Sequence, residues 1–100
     1  MWKMGDNHQL SIPEAARKDR QSLELVRVWL AGEQQHVSIR GGVWDDPAAW
    51  GIMLADLARH VANSYQDKGF DRTKTLRRIQ AALDAELTSP TDEPSGQTFR

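Results

Sequence analysis

The stretch GGVWDDPAAWGIMLADLARHVANSY, residues 41–65, predicts the longest helix of the chain. Asp46 is a favoured N-cap because its carboxylate can accept hydrogen bonds from backbone N–H groups that have no helical partner. Pro47 suits the first helical position because it needs no N–H there and its φ angle already matches a helix. We therefore expect a helix from Pro47 to about Gln66, ended near Gly69 by a left-handed glycine.

Side chains on this helix fall into three strips, because successive residues advance by about 100°. The large apolar strip contains Trp50, Leu54, Leu57, Val61 and Tyr65. The small-residue strip contains Ala48, Gly51, Ala55, Ala58 and Ala62. The polar strip contains Asp56, Arg59, His60, Asn63 and Gln66. We expect the large strip to face a sheet and the small strip to admit a second backbone, unless alanine is present only as a good helix former.

Two strands are predicted before this helix. Residues 23–31 (LELVRVWLA) are rich in β-branched and aromatic residues. Their apolar side chains occupy both faces, which indicates a strand covered on both sides or central in its sheet. Residues 36–40 (HVSIR) alternate, with Val37 and Ile39 expected to point inward. Residues 32–35 are expected to form the turn between the two strands.

Shorter segments and a second helix complete the chain. Residues 11–17 are expected to make one or two helical turns, beginning near Pro13. The second helix is expected from about residue 72 to residue 87, with Asp71 as its N-cap. Residues 88–100 (TSPTDEPSGQTFR) have the composition of a disordered tail, which a partner could hold in place. The predicted organisation is an N-terminal segment (1–22), a core domain (23–87) and a polar tail (88–100).

The composition predicts one soluble domain and excludes several kinds of function. One hundred residues suffice for a single, modest hydrophobic core. The net charge of −1 and the pI near 6.3 argue against non-specific binding to nucleic acid or to an anionic membrane. Without cysteine the chain has no disulfide, thiolate metal site or cysteine nucleophile. The sequence contains no apolar run typical of a signal peptide or a membrane span, so we expect a cytoplasmic protein.

These elements predict an α+β fold, in which a β-hairpin packs against two helices in ββαα order. A two-stranded hairpin by itself is only marginally stable in water. Its apolar strand would be an exposed edge strand, which can pair with another strand. A third strand from the N-terminal segment could complete the layer. A twofold homodimer that joins two hairpins or two helix layers is the more economical solution.

The segment W-D-D-P-x-x-W-G within residues 41–65, with LVRVWLA and HVSIR before it and SPTDEP after it, is similar to a known pattern. On these residues the chain resembles a small family of proteobacterial proteins, domain of unknown function 5076. The resemblance covers nearly the whole chain and implies a bacterial source. It implies no activity, cofactor or catalytic residue.

A candidate ligand pocket lies where the hairpin is expected to meet the long helix. Carboxylates with aromatic walls can hold a cationic or sugar-like ligand, or can form an acid–base pair. The residues assigned to this pocket are Trp44, Asp45, Trp50, Arg27 and Arg40. The alternative explanation is structural: the two aspartates favour the helix start, and the tryptophans fill the core.

Other candidate groups have ordinary structural explanations. Asp56 and His60 are four residues apart, a spacing that suits an oriented general base and equally a surface pair. The histidines are not at metal-ligand spacing, and no glycine-rich phosphate loop is present. The second helix is basic in its first half but acidic afterwards, as in a solvated face. We assign no catalytic, cofactor-binding or metal-binding residue.

The leading functional hypothesis is a dimeric, non-enzymatic interaction or regulatory module. It rests on two apolar helix strips and a strand with two apolar faces, which together offer large contact surfaces. The competing hypothesis is a small-molecule-binding protein or an enzyme that uses the pocket at the hairpin–helix junction. That hypothesis predicts a concave pocket beside Asp45. Nucleic-acid binding ranks third, and no membrane partner is expected.

Overall fold

The computed structural model describes residues 8–91 and 96–99. The elements in chain order are α1 (Glu14–Lys18), β1 (Val26–Ala31), β2 (Gln34–Arg40), α2 (Ala48–Gln66), α3 (Arg72–Thr88) and β3 (Gly96–Phe99). A β-hairpin followed by two long helices confirms the predicted α+β class and ββαα order. Residues 1–7 of the predicted N-terminal segment and residues 92–95 and 100 of the predicted tail lie outside the described residues.

The β1–β2 hairpin closes through a two-residue turn, shorter than the four residues predicted. Gly32 and Glu33 both have left-handed backbone conformations, with φ angles of 60° and 62°. Two consecutive left-handed residues are typical of a type I′ turn, whose twist matches that of the strands it joins. Gln34 is therefore already a paired residue of β2, opposite Ala31.

The antiparallel register gives the hairpin one apolar face. Val26 lies opposite Ile39, and Val28 lies opposite Val37. Directly opposed residues project on the same side of a sheet, so these four side chains share one face. Leu30 extends that face towards the turn. Val28 is 55% exposed and Leu30 is 81% exposed, so this apolar face is open to solvent in the single chain.

A third strand comes from the C-terminal tail. β3 pairs with β2 in parallel, with Val37 beside Gly96 and Ile39 beside Thr98, and the strand order is β1-β2-β3. The prediction of disorder is therefore wrong for residues 96–99. Composition misses this strand because its hydrogen-bond partners are the backbone groups along β2, which are remote in sequence. Residues 8–22 of the N-terminal segment, the other source considered for a third strand, form α1 and irregular structure.

The predicted end of α2 at Gln66 is confirmed, and its start at Ala48 lies one residue after the predicted Pro47. The Asp46 Oδ1 accepts a hydrogen bond from the Ala48 backbone N–H at 2.9 Å, which satisfies one of the unpaired donors of the first turn. Beyond the last helical residue, Gly69 has a φ angle of 94°, the left-handed conformation expected of a terminating glycine. The Phe70 N–H then donates to the Tyr65 carbonyl at 3.2 Å, and the two rings meet edge to face at 5.4 Å.

The third helix begins at the predicted cap and packs against α2. The Asp71 Oδ1 accepts a hydrogen bond from the Lys74 N–H at 2.8 Å, and the Thr75 hydroxyl donates to the Asp71 carbonyl at 2.8 Å. Ala62 is fully buried, and Ala58 one turn earlier is half-buried. α3 is the element that α2 contacts, so these small side chains mark the side of α2 on which the two helices approach each other.

The helices and the sheet form two separate packing units within one chain. β1 contacts β2, β2 contacts β3, and α2 contacts α3, but among the described residues no helix packs along a strand. The prediction that the large apolar strip faces the sheet is thus wrong for a single chain. Leu54 and Leu57 of that strip are 49% and 50% exposed, and Ala62 is the one fully buried residue of the described part. The chain leaves β2 through Gly41 and Gly42, and the helix that follows packs against α3 and not against the described strands.

Candidate functional site

Trp44 and Trp50 form an aromatic corner where the chain passes from β2 into α2. Their ring centroids are 5.1 Å apart and the ring planes are inclined by 76°, an edge-to-face arrangement. Asp46 lies between them in the sequence, and its carboxylate accepts the hydrogen bond from the Ala48 N–H at the start of α2. Trp50 is half-buried and Trp44 is 37% exposed, so one side of the corner faces outward.

An open groove runs from this corner along the first half of α2. Its volume is about 550 Å³, and its lining residues are Leu25, Trp44, Ala49, Ile52, Met53, Asp56 and Arg59. Leu25 lies just before β1, so the groove joins the start of the sheet to the side of the helix. Asp56 in its wall lies 3.3 Å from the Nε2 of His60, and both side chains are largely exposed. The groove is therefore mainly apolar, with two exposed charged residues, Asp56 and Arg59, in its wall.

A second, smaller cavity lies at the end of the sheet where β1 begins and β2 ends. Its volume is about 260 Å³, and its lining consists of residues 24–27 and 38–40. The Glu24 Oε2 accepts hydrogen bonds from the Arg27 Nε at 3.2 Å and from the Arg27 Nη2 at 3.1 Å. The Arg40 Nε donates to the Glu24 backbone carbonyl at 2.9 Å. Glu24 thus holds both guanidinium groups at this cavity, while its single carboxylate balances only one of the two positive charges.

The structure divides the five residues of the predicted pocket among different places. Trp44 and Trp50 meet at the aromatic corner, and Arg27 and Arg40 meet at the cavity on the sheet. Asp45 is exposed and lines neither concavity. The predicted pocket residues therefore form two sites rather than one, and its carboxylate belongs to neither.

Sequence reasoning missed Glu24, the residue that holds the two arginines. In a regular strand, residues three apart project on opposite faces, so the pattern Glu-x-x-Arg gives no reason to pair Glu24 with Arg27. The pair forms because β1 begins only at Val26, which leaves Glu24 in irregular structure and free to turn back. The contact to Arg40 depends on the hairpin register and spans sixteen positions.

The small-residue strip is used only in part within one chain. Ala62 and Ala58 lie on the side of α2 that packs against α3, whereas Ala48, Gly51 and Ala55 are exposed. A Cβ atom placed on Gly51 would meet no other atom within 4 Å. The half of the strip nearest the start of α2 thus has no close neighbour in the single chain.

The family model described as Domain of unknown function (DUF5076) matches residues 9–91 of the chain. The chain belongs to this family. The matched region contains both concavities, the aromatic corner and the whole of the large apolar strip, whereas β3 lies beyond it. The features that define the family in this chain are thus the hairpin and the two helices.

Four chains among solved structures match the protein. One is a protein described as a "putative pyruvate dehydrogenase" from the photosynthetic bacterium Rhodopseudomonas palustrus CGA009. It is 28% identical in sequence, with a TM-score of 0.75 over 92% of this chain and 95% of that chain. A search of curated proteins finds no match.

The described residues lack two further features, a metal-binding cluster and a membrane-spanning helix. Residues 8–91 and 96–99 contain no group of three or more histidine, aspartate and glutamate side chains that could hold a metal ion. Over the same ranges, no helix combines the length and the apolar character needed to cross a membrane.

Proposed function

We propose that this protein is a homodimeric interaction module, in which a second copy covers the apolar surfaces left open in the single chain. The accessible surface of the chain is 9365 Å², whereas a compact protein of 11.3 kDa exposes about 5,700 Å². The radius of gyration is 15.7 Å, compared with about 13 Å for a compact domain of this length. The proposal rests on this observation, that the single chain exposes more surface and is more extended than a compact domain of its size.

The size of the excess surface suits a permanent dimer. It amounts to roughly 3,600 Å² per chain, or about 7,200 Å² for two copies, which is enough to supply an obligate homodimer interface of about 2,000–5,000 Å² in total. Much of the open surface is apolar, including Val28 and Leu30 on the sheet and Leu54 and Leu57 on α2. Burying apolar surface contributes about 25 cal/mol per Å², so these faces provide a large driving force for association.

A second copy is the occupant that the chain itself favours. Every copy exposes the same surfaces, and a twofold interface uses one patch on both subunits. The net charge of −1 adds little electrostatic repulsion between two copies. Another protein would have to match both the sheet face and the helix face, whereas a copy of the chain carries each of them already.

Analytical ultracentrifugation tests this proposal directly. We expect a species of twice the 11.3 kDa chain mass at micromolar concentration. We also expect the midpoint of thermal unfolding to rise with protein concentration, because association stabilises the folded state by mass action. A folded monomer whose unfolding midpoint does not change with concentration would contradict the proposal.

The cavity at residues 24–27 and 38–40 favours a second candidate function, the binding of a small carboxylate. Arg27 and Arg40 line it together with the half-buried Ser38, and one of their two charges is left unbalanced by Glu24. Guanidinium groups bind carboxylates through paired, charge-assisted hydrogen bonds. The name of the similar Rhodopseudomonas protein refers to pyruvate, a three-carbon keto acid of a size that the cavity volume admits.

Titration with pyruvate, followed by the backbone amide signals in NMR spectra, tests this candidate. We expect shifts concentrated at residues 24–27 and 38–40, and weaker binding in the Arg27→Gln variant. Arg77→Gln on α3 is the matched control, because Arg77 lines neither concavity. Acetate and phosphate serve as comparison anions. Shifts that are absent, or that are equal in both variants, would exclude a carboxylate site here.

A further inference from the structure

We propose that the large apolar strip of α2 is the centre of the dimer interface and packs against the same strip of the second copy. This inference rests on the proposed homodimer and adds the surface through which it forms. The twofold axis would pass near Leu57, the middle of the strip. The two α2 helices would then form one continuous apolar seam.

The spacing of the strip is that of a helix seam. Trp50, Leu54, Leu57 and Val61 follow one another at intervals of four, three and four residues. Alternating intervals of three and four place side chains at the a and d positions of a heptad, where two helices interlock. Tyr65 continues the strip at the last turn of α2. No charged residue interrupts the strip over these turns.

The other sides of α2 already have neighbours, whereas the middle of the strip stays open and its two ends each meet one ring, Trp50 with Trp44 and Tyr65 with Phe70. The side marked by Ala58 and Ala62 packs against α3, and the side with Ala49 and Met53 lines the groove below Leu25. The remaining side is the large apolar strip. Its four members beyond the half-buried Trp50 have exposures between 39% and 50%, although they are among the largest apolar side chains of the helix.

The residues beside the strip also suit a helix partner. Positions that flank a heptad seam are usually charged and face solvent at its edge. Here they are Gly51 and Ala58 on one side and Met53 and His60 on the other. Small residues let two helix axes approach closely, and apolar flanks widen the surface that can be buried. Gly51 has free space around it in the single chain, as a position reserved for a second helix would.

The second copy meets this strip with the same strip because a twofold interface is self-complementary. The open face of the sheet, around Val28 and Leu30, is the competing surface. The helix strip has the greater continuous length, since the twelve residues from Trp50 to Val61 extend over about 16.5 Å of helix at 1.5 Å per residue. We therefore place the helix pair at the axis.

Cysteine cross-linking tests the inference, and the chain offers a clean background because it has no native cysteine. Leu57→Cys places a thiol near the proposed axis, where the two copies meet whether the helices run parallel or antiparallel. Arg59→Cys is the matched control, two residues away on the opposite side of α2. After mild oxidation we expect a disulfide-linked dimer for Leu57→Cys and little for Arg59→Cys. Equal cross-linking of the two variants would overturn the inference.

Charge substitution provides an independent measurement. Leu57→Glu would bury a carboxylate in each half of the seam, so we expect the dissociation constant of the dimer to rise by roughly 100-fold or more. Arg59→Glu should leave it unchanged. Circular dichroism reports whether each variant folds. If Leu57→Glu does not fold, the cross-linking result decides alone.

The two proposals can fail separately. A monomeric wild-type protein would remove the dimer itself. A dimeric wild-type protein whose Leu57→Cys variant does not cross-link, and whose Leu57→Glu variant remains dimeric, would retain the dimer but exclude α2 as its centre. The open face of the sheet would then be the surface to substitute next.

Discussion

The rings of Trp44 and Trp50 meet edge to face at 5.1 Å, across the turn that connects the sheet to the helices. The sheet and the helices otherwise share little contact in one chain. The tryptophan pair, with Leu25 beside it, is therefore the main link between the two packing units. Its strength determines how firmly the hairpin is held relative to α2.

We predict that the two tryptophans are energetically coupled. Trp44→Ala and Trp50→Ala should each lower the free energy of unfolding by roughly 2 kcal/mol, less than for fully buried rings because both are partly exposed. The double variant should lose about 1 kcal/mol less than the sum, because the ring–ring contact can be lost only once. Urea unfolding at one fixed protein concentration measures these differences.

The pair of Trp29 and Trp50 is the control for this comparison of single and double variants. Trp29 lies on β1, and no ring contact joins it to Trp50 in the described structure. The loss of unfolding free energy caused by Trp29→Ala should therefore add to the loss caused by Trp50→Ala, within about 0.5 kcal/mol. If the losses for Trp44→Ala and Trp50→Ala also add, the edge-to-face contact contributes nothing to the free energy of unfolding.

We predict that Asp71→Ala destabilises the protein by about 1 kcal/mol, because it removes the acceptor for the Lys74 N–H at the start of α3. Asp71→Asn should retain most of the stability, since the amide oxygen can accept the same hydrogen bond. Asp84→Ala is the control: its side chain lies within α3 and caps no helix end. Chemical unfolding of the three variants should rank Asp71→Ala lowest.

Gly69 should not tolerate a side chain. Its φ angle of 94° lies where a Cβ atom is strained, so we expect Gly69→Ala to lower the free energy of unfolding by roughly 1–2 kcal/mol. Asparagine adopts left-handed conformations more readily, and Gly69→Asn should cost less than Gly69→Ala. Thermal unfolding at matched concentration makes the comparison. Equal losses would mean that backbone strain is not the cause.

Removing β3 should weaken the sheet without abolishing the rest of the fold. A chain ending at Thr91 retains the hairpin, α2 and α3 but leaves the edge of β2 without its parallel partner. We expect the free energy of unfolding to fall by roughly 1–2 kcal/mol, because the hydrogen bonds between β2 and β3 are lost. The fall is limited because the removed segment no longer loses conformational entropy on folding. An unpaired edge also promotes association between sheets, so aggregation on heating should increase. A chain that lacks only Arg100 is the control, and it should behave as the wild type.

Several features of this protein were predictable from local sequence. Asp46 and Asp71 identify the starts of both long helices, and Gly69 identifies the end of the first, because capping bonds reach only two or three residues along the chain. The hairpin follows from its two strand-forming segments, and alternation in residues 36–40 places Val37 and Ile39 on one face. These predictions succeed since the partners that satisfy each backbone group are close in sequence. The prediction that residues 23–31 are covered on both sides or central is wrong in the single chain, because β1 is an edge strand with Val28 and Leu30 exposed.

The assembly of these pieces is decided only in three dimensions. β3 pairs with β2 although Gly96 and Val37 are far apart in the chain, and Arg40 reaches the carbonyl of Glu24 across the hairpin. In the described residues the helices pack on each other and not on the strands, so the arginines and the tryptophans lie at different places and the large apolar strip stays largely open. Sequence alone determined the long helices, their caps and the two strands of the hairpin, because those depend on neighbouring residues. The tertiary structure decided which surfaces are buried and which stay open, because that depends on the direction in which each connection carries the chain.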